Sequence, residues 1–349
     1  SVVRFIGEVC VARCLVTGAS GYIGRALVPA LVAAGHVVRA QRHRADVPGP
    51  AQESFCADLS QRFPDSALED IDTVFHLAGL AHSRETPAAY RTVNVEATVS
   101  LARAAMTAGV RRLVFLSSVK AALAAADPAA ADDYARSKAD AETALLSVAQ
   151  GGAMDVFIVR PALVYGGEHG GYLRWLERWV QAHLPAPPEG GERAMVARED
   201  LVRLLVMLQQ ASLASPATLT VTDGQSYNAR RLHRALCDAR GLRPWLPSPP
   251  PGVWKMACRV GDLVSGQAAG ACWRRLQGAE PHRGTDLDGL LGFRIKRSFE
   301  DVFPFSTPPA APLAAYPQLI THDCEGLSGI DAVGQTLALK RLVAEHLEH

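Results

Sequence analysis

Apolar residues along this chain fall either into short continuous runs or into longer stretches where they recur three and four positions apart. These are the spacings of buried strands and amphipathic helices. Residues 11–17 (Val-Ala-Arg-Cys-Leu-Val-Thr) form a β-prone run that ends in a glycine-rich turn. From Gly24 the apolar positions Ala26, Leu27, Ala30 and Leu31 predict a helix that Gly35 stops. Further strands are predicted at 36–41, 73–77, 112–117 and 156–159, and helices at 90–108 and 133–149. Asp132 or Asp133 suits the N-cap of the helix over 133–149. Strands and helices alternating in this order predict an α/β fold built on a parallel, doubly wound sheet.

After Tyr165 the pattern changes. A loop over 166–171 precedes an aromatic helix bearing Tyr172, Trp175 and Trp179, then a Pro/Gly stretch over 185–191. Residues 200–211 read as an apolar helix, 219–222 as a late strand and 228–240 as another helix. Five prolines within 244–251 predict an extended connector. Beyond residue 298 the pattern weakens: 304–317 is Pro/Ala-rich and reads as irregular, with a last helix near 334–345.

Composition narrows the class. A length of 349 residues suits one large or two modest domains. A net charge of +1 gives no reason to expect nucleic acid or acidic membranes as partners. No apolar run reaches the length of a membrane span, and the N-terminus lacks a signal-peptide layout. The seven cysteines are odd in number and include no Cys-x-x-Cys pair, which fits a reducing, cytoplasmic setting. Cys10 and Cys14 fall on one face of the first strand and read as buried hydrophobes. The ending Leu347-Glu348-His349 looks like the start of a purification tag and is set aside.

The chemistry begins with Tyr134-Ala135-Arg136-Ser137-Lys138. Of 36 basic residues only five are lysine, so a lysine four positions after a tyrosine is not generic charge. Four residues along a helix put both side chains on one face, where an ammonium is expected to lower the phenol pKa from about 10. A solvated surface pair is the alternative reading. Upstream, Gly18-Ala19-Ser20-Gly21-Tyr22-Ile23-Gly24 follows the first strand and opens the first helix. Small residues there let a backbone approach a pyrophosphate at a helix N-terminus, so the turn reads as a dinucleotide site. The second strand ends in Gln41-Arg42-His43-Arg44, with no carboxylate before Asp46. An NAD site wants an acid there for the ribose 2′-OH, whereas Arg42 or Arg44 suits a 2′-phosphate; NADP is favoured, with NAD possible. Asp58 and Leu59 fall where a carboxylate could meet the adenine amino group.

With these pieces in order, the chain resembles the extended short-chain dehydrogenase/reductases, and among them the nucleotide-sugar epimerase/dehydratase family. The resemblance also rests on Val74-Phe75-His76-Leu77-Ala78-Gly79, on Asn94, on Ser117-Ser118 and on Arg160-Pro161-Ala162-Leu163-Val164-Tyr165-Gly166. It implies a Rossmann-type sheet with a smaller C-terminal substrate-binding domain. In that division 1–165 and about 194–224 bind the cofactor, about 166–193 with 225–300 bind substrate, and 301–346 is an irregular extension. It further implies Tyr134 as general acid/base, Lys138 on the nicotinamide ribose and Ser118 on the reacting oxygen. Leu77, Ala78 and Gly79 would pass beside the ribose and diphosphate, and Pro161 to Val164 beside the nicotinamide. Arg193 would meet the substrate diphosphate; Asp200 reads as an N-cap. His76 and His82 read as structural, and Asn94 as a helix-packing hydrogen bonder.

The dehydratases of that family place acidic residues after the serine, and here the run is Val119-Lys120-Ala121-Ala122. The resemblance therefore implies a 4-epimerase or 4-ketoreductase of a UDP-sugar, as in surface polysaccharide synthesis, and a homodimer through helices 90–108 and 133–149. Reduction of a small lipophilic ketone with the same residues, and a non-catalytic cofactor sensor, are the competing expectations.

Overall fold

The computed structural model describes residues 11–42, 51–59, 63–81, 85–129, 131–167, 171–264, 266, 268–280 and 282–303. His43, Arg44, His82, Cys10, the expected irregular segment and the expected last helix lie outside them.

Nine of the strands among the described residues are β1 (Arg13–Thr17), β2 (Val37–Arg42), β3 (Glu53–Cys56), β4 (Thr73–His76), β5 (Arg112–Leu116), β6 (Asp155–Pro161), β7 (Leu163–Tyr165), β8 (Arg193–Ala197) and β9 (Ala217–Val221). Seven of them form one parallel sheet in the order β3-β2-β1-β4-β5-β6-β9. Alternation along each strand feeds two cores. Cys14 and Val16 face a cluster with Leu27, Leu31, Phe157 and Leu205, while Leu15 faces another with Val74, Leu113, Phe115 and Ile158. Burial on both faces is why these strands read as continuous apolar runs. Each fully buried Leu or Phe contributes about 1.5–3 kcal/mol relative to exposure.

Ten of the helices among the described residues are α1 (Gly24–Ala33), α2 (Pro87–Tyr90), α3 (Ala97–Thr107), α4 (Val119–Ala126), α5 (Asp133–Ala149), α6 (Gly171–Gln181), α7 (Arg198–Leu208), α8 (Ala229–Arg240), α9 (Pro251–Val264) and α10 (Ala271–Gln277). Asp132 caps α5, accepting from the Ala135 N–H at 2.7 Å, and Asn228 caps α8, accepting from the Arg231 N–H at 2.8 Å.

Several elements differ from the sequence reading. The single helix expected over 90–108 is α2, a wider π-helical stretch over Arg91–Glu96, and α3. Such stretches are frequent at functional sites, and the buried Asn94 lies in this one. The alanine-rich run after Ser118, where no helix was predicted, is α4, and the last connector proline opens α9, where its missing N–H costs nothing. Edge strand β3 escaped notice because it alternates half-buried and exposed residues without an apolar run. Asp200 is not the N-cap; Ala197 occupies that position and makes no side-chain capping bond. Asp200 is buried in the first turn of α7, accepting from the Lys296 N–H at 3.0 Å and from the Arg203 guanidinium.

The chain divides into two compact units. Ser1–Val164, Val196–Asp223 and His282–Lys296 form the first, and Tyr165–Met195, Gly224–Pro281 and Arg297–His349 the second. The stretch 282–296, expected with the smaller domain, groups with the first unit, where Thr285 hydrogen-bonds Thr220 beside β9 through both backbone and side chain. In the second unit β8 pairs antiparallel with β10 (Ser226–Tyr227), and Trp179, Trp254 and Leu276 lead an aromatic cluster.

Candidate active site

Strand order reverses between β1 and β4, so the chain leaves these neighbours in opposite directions and opens a crevice at their C-terminal ends. Most of the residues singled out in the first unit gather along that edge. The turn from Gly18 to Gly24 leaves β1, Leu77 to Gly79 leave β4, and Ser118 follows β5. Pro161 and Val164 lie at the end of β6 and in β7. Arg42 ends β2, half-buried; Asp58 is exposed and Leu59 packs on the core.

The glycine turn packs tightly against its neighbour. Gly18 has φ +67°, and a Cβ there would stand 2.7 Å from the Ala78 nitrogen. Gln41, buried at the end of β2, holds the turn: its Oε1 accepts from the Gly18 N–H at 2.9 Å and its Nε2 donates to Ala57 O at 2.6 Å. Sequence reading quoted Gln41 only as a neighbour of Arg42. Gln41→Leu strands both partners and is expected to cost about 1–3 kcal/mol, read as a lower thermal midpoint. The N–H groups of Arg25, Ala26 and Leu27 reach Gly21 and Ile23, whereas among the described residues those of Ile23 and Gly24 meet no acceptor. Two such donors at a helix start, beside a turn of small residues, fit a dinucleotide diphosphate.

His76 is wholly buried and joins three elements. Thr98 donates its hydroxyl to Asn94 O at 2.7 Å, so it must accept from His76 Nε2–H at 2.8 Å. Nδ1 then accepts from the Thr17 hydroxyl at 2.7 Å. Burial, and next the Lys138 charge, pull the histidine down to about 3, so it stays neutral. Its structural reading holds. Asn94 binds both polar groups of Leu80 (N–H to Oδ1 at 2.7 Å, Nδ2 to O at 3.0 Å), and Nδ2 also donates to Ser137 Oγ at 2.9 Å. One amide thereby pins the loop after β4 to α5, as a packing hydrogen bonder should.

Tyr134 and Lys138 share the inner face of α5. The Ser118 hydroxyl hydrogen-bonds the Tyr134 phenol and also caps α4, accepting from the Lys120 N–H at 3.2 Å. Lys120 closes the segment between them with a 3.0 Å ion pair to Asp132. Lys138 is buried, donates to Leu116 O at 3.0 Å, and lies 4.7 Å from the Phe115 ring centroid. Gly79 leaves the ammonium approachable, since a Cβ there would sit 3.3 Å from Nζ and 2.9 Å from Asn94 Oδ1.

The electrostatics of the pair differs from the expectation. The Tyr134 phenol is raised above its ordinary value: burial dominates, Ser118 pulls the other way, and Asp132 and Tyr90 add to the rise. Lys138, spent on Leu116 and packed over Phe115, does not offset this. Burial brings Lys138 itself down to about 8, with Glu142 resisting. Glu142 was missed, although it is the next residue on the same face, four after Lys138. Its carboxylate accepts from Ser117 Oγ at 2.5 Å and from the Arg160 guanidinium, with Nε at 2.9 and 3.1 Å. Arg193 belongs to the second unit and stacks 4.6 Å over the Tyr172 ring.

Comparison with known proteins agrees with this architecture. A UDP-glucose 4-epimerase of Vibrio cholerae is 31% identical over 262 residues, covering 69% of this chain and 79% of the relative. A 4-hydroxy-2-methyl-3-oxo-4-farnesyl-3,4-dihydroquinoline-1-oxide ketoreductase of Stigmatella aurantiaca is 26% identical over 72% of this chain and 80% of its own length. Among solved structures, MoeE5 in complex with UDP-glucose and NAD superposes with a TM-score of 0.66 at 23% identity, covering 88% of this chain and 99% of its own. The Bordetella bronchiseptica enzyme WbmG in complex with NAD and UDP gives 0.66 at 18%, over 92% and 99%. At these identities the two structures speak to the fold. Residues 14–218 match the NAD dependent epimerase/dehydratase family, and the chain belongs to that family.

Proposed function

We propose that this protein is an NAD(P)-dependent enzyme acting at C4 of a nucleotide sugar, as a 4-epimerase or 4-ketoreductase. The observation that carries the reading is the Ser118–Tyr134 hydroxyl pair beside a buried, still approachable Lys138 at the sheet's switch point. A carbonyl oxygen gaining negative charge there would accept from both hydroxyls, and Tyr134 would transfer its proton. The raised phenol is protonated at neutral pH, as that donation requires. Lys138 and the Gly79 backbone would hold the nicotinamide ribose, and the turn from Gly18 to Gly24 the diphosphate. When bound, the nicotinamide supplies or accepts the hydride.

The second unit, with Arg193 on Tyr172, takes the substrate role in this reading. A UDP-sugar is supported by the Vibrio cholerae relative, and a place in surface polysaccharide synthesis follows from the family resemblance. A homodimer is part of the proposal; Leu123 and Leu146 on α4 and α5 are exposed. The test is turnover. Purified protein should interconvert UDP-glucose and UDP-galactose, or oxidise NADPH with a 4-keto sugar nucleotide; inertness toward both sinks the reading. The Stigmatella relative favours a second reading, reduction of a lipophilic ketone. A thermal shift with UDP-sugars but not lipophilic ketones separates the two.

Arg42 at the end of β2 supports NADP over NAD. A charge-assisted bond to a 2′-phosphate is worth about 1.5–3 kcal/mol, so Arg42→Asp is expected to weaken NADPH binding about ten- to a hundredfold and improve NADH. Titrating both cofactors against wild type and variant checks it, and unchanged preference removes Arg42 from the argument.

A further inference from the structure

Two thiols in the second unit face each other. Cys258 on α9 and Cys272 on α10 have their sulfurs 3.2 Å apart, fourteen positions apart in sequence. Their helices are already fixed relative to one another. Asp262, buried on α9, accepts from the Gly270 N–H at 2.7 Å and the Cys272 N–H at 2.8 Å, holding the first turn of α10 in place. Trp254 and Leu276 complete the packing around the pair. The remaining gap to the roughly 2.05 Å of a disulfide is about 1 Å. Neither the proposed reaction nor the family match uses these two residues.

We propose that Cys258 and Cys272 form a reversible disulfide, a modification site for thiol–disulfide exchange with a small disulfide of the glutathione type. Exposure sets the order of events. Cys258 is 5% exposed, while Cys272 is half-buried, so Cys272 is the sulfur an oxidant reaches. The Cys272 thiolate attacks one sulfur of oxidised glutathione, the glutathione S–S bond breaks, and one glutathione leaves and takes up the thiol proton. Cys258 then attacks Cys272 Sγ, losing its proton to the second departing glutathione. Two protein thiols and one oxidised glutathione become one protein disulfide and two reduced glutathiones, and the two electrons reside on the latter.

The bond would act beyond the two helices. The chain leaving α10 runs directly alongside β8: Glu280 N–H donates to Glu192 O at 2.8 Å, and Ala194 N–H to Glu280 O at 3.1 Å, on either side of Arg193. The Gly191 backbone rests on the last turn of α10, where a Cβ would meet Leu276 O at 2.5 Å. Tying α10 to α9 consequently restrains the backbone that carries Arg193.

The experiment equilibrates the full chain with oxidised or reduced glutathione, blocks remaining thiols, and maps tryptic peptides by mass. Cleavage after Lys255, Arg259 and Arg274 puts the two cysteines in separate peptides, 256–259 and 260–274. The expected product is those two peptides joined, lighter by two hydrogens, with buried Cys14 and Cys237 still blocked as thiols. Cys258→Ser should stop at a glutathione adduct on Cys272. Amide exchange across residues 271–280 should slow in the oxidised wild type and not in that variant. Thiols at 258 and 272 that stay fully alkylatable in excess oxidised glutathione overturn the proposal. So does a glutathione adduct at Cys272 that persists in the wild type, or pairing of either cysteine with a different one.

Discussion

Tyr134→Phe is expected to lower kcat by about 10²–10⁴-fold in whichever direction is assayed, the range a positioned acid or base supplies. The substitution removes one oxygen from a ring that otherwise keeps its packing beside Tyr90, at 6.4 Å between centroids. Its cost to stability should be small, because the phenol's partner is Ser118, which retains its bond to the Lys120 N–H. Cofactor binding should persist, since the glycine turn, Gln41 and Lys138 are untouched. Fluorescence titration of NADPH together with single-turnover kinetics separates these effects. Activity unchanged in Tyr134→Phe would move the chemistry elsewhere. Ser118→Ala should cost less, as Tyr134 remains to donate.

Glu142→Gln is the second large effect, and it acts on stability first. Glu142 is buried and neutralises Arg160, whose side chain is 22% exposed. Removing one partner of a buried pair costs about 3–5 kcal/mol, and the residual exposure of Arg160 puts this case near 3. Chemical denaturation with a fixed m-value measures it. The second consequence is on pH. Lys138, already down to about 8 through burial, is held up by Glu142. Loss of the carboxylate lowers it further, so a reaction needing the ammonium should lose activity at a lower pH than wild type does. The sign is fixed: the alkaline limb moves down. An unshifted limb would mean that the charge on Lys138 does not govern the rate. Arg160→Leu paired with Glu142→Leu should restore much of the stability without restoring the limb, distinguishing packing from electrostatics.

The residues that sequence reading found and those it missed differ in kind. Gly18 to Gly24, Tyr134 with Lys138, and Asp132 as a cap were legible because each works through neighbours within a turn or so of chain. Backbone geometry alone then decides what meets what. The direction of the Tyr134 shift was not legible. Local spacing predicted an ammonium lowering the phenol, but burial depends on what α2, α4 and the strand ends pack around it. Asp200 shows the same limit: its position at a helix start suggested a cap, and its burial against Lys296 reassigned it.

Read alone, the amino-acid sequence determined the doubly wound class, the glycine turn, the Tyr/Lys pair and the family. The first three follow from periodicity and short spacing and the family from a resemblance of ordered motifs, all of which survive without coordinates. Only the tertiary structure decided that Gln41 clamps the turn, that His76 is a neutral link between Thr17 and Thr98, that Glu142 meets Arg160, and that Cys258 meets Cys272. Each of those contacts joins different elements. Which partners meet is set by how the elements pack against one another, and no local pattern encodes that.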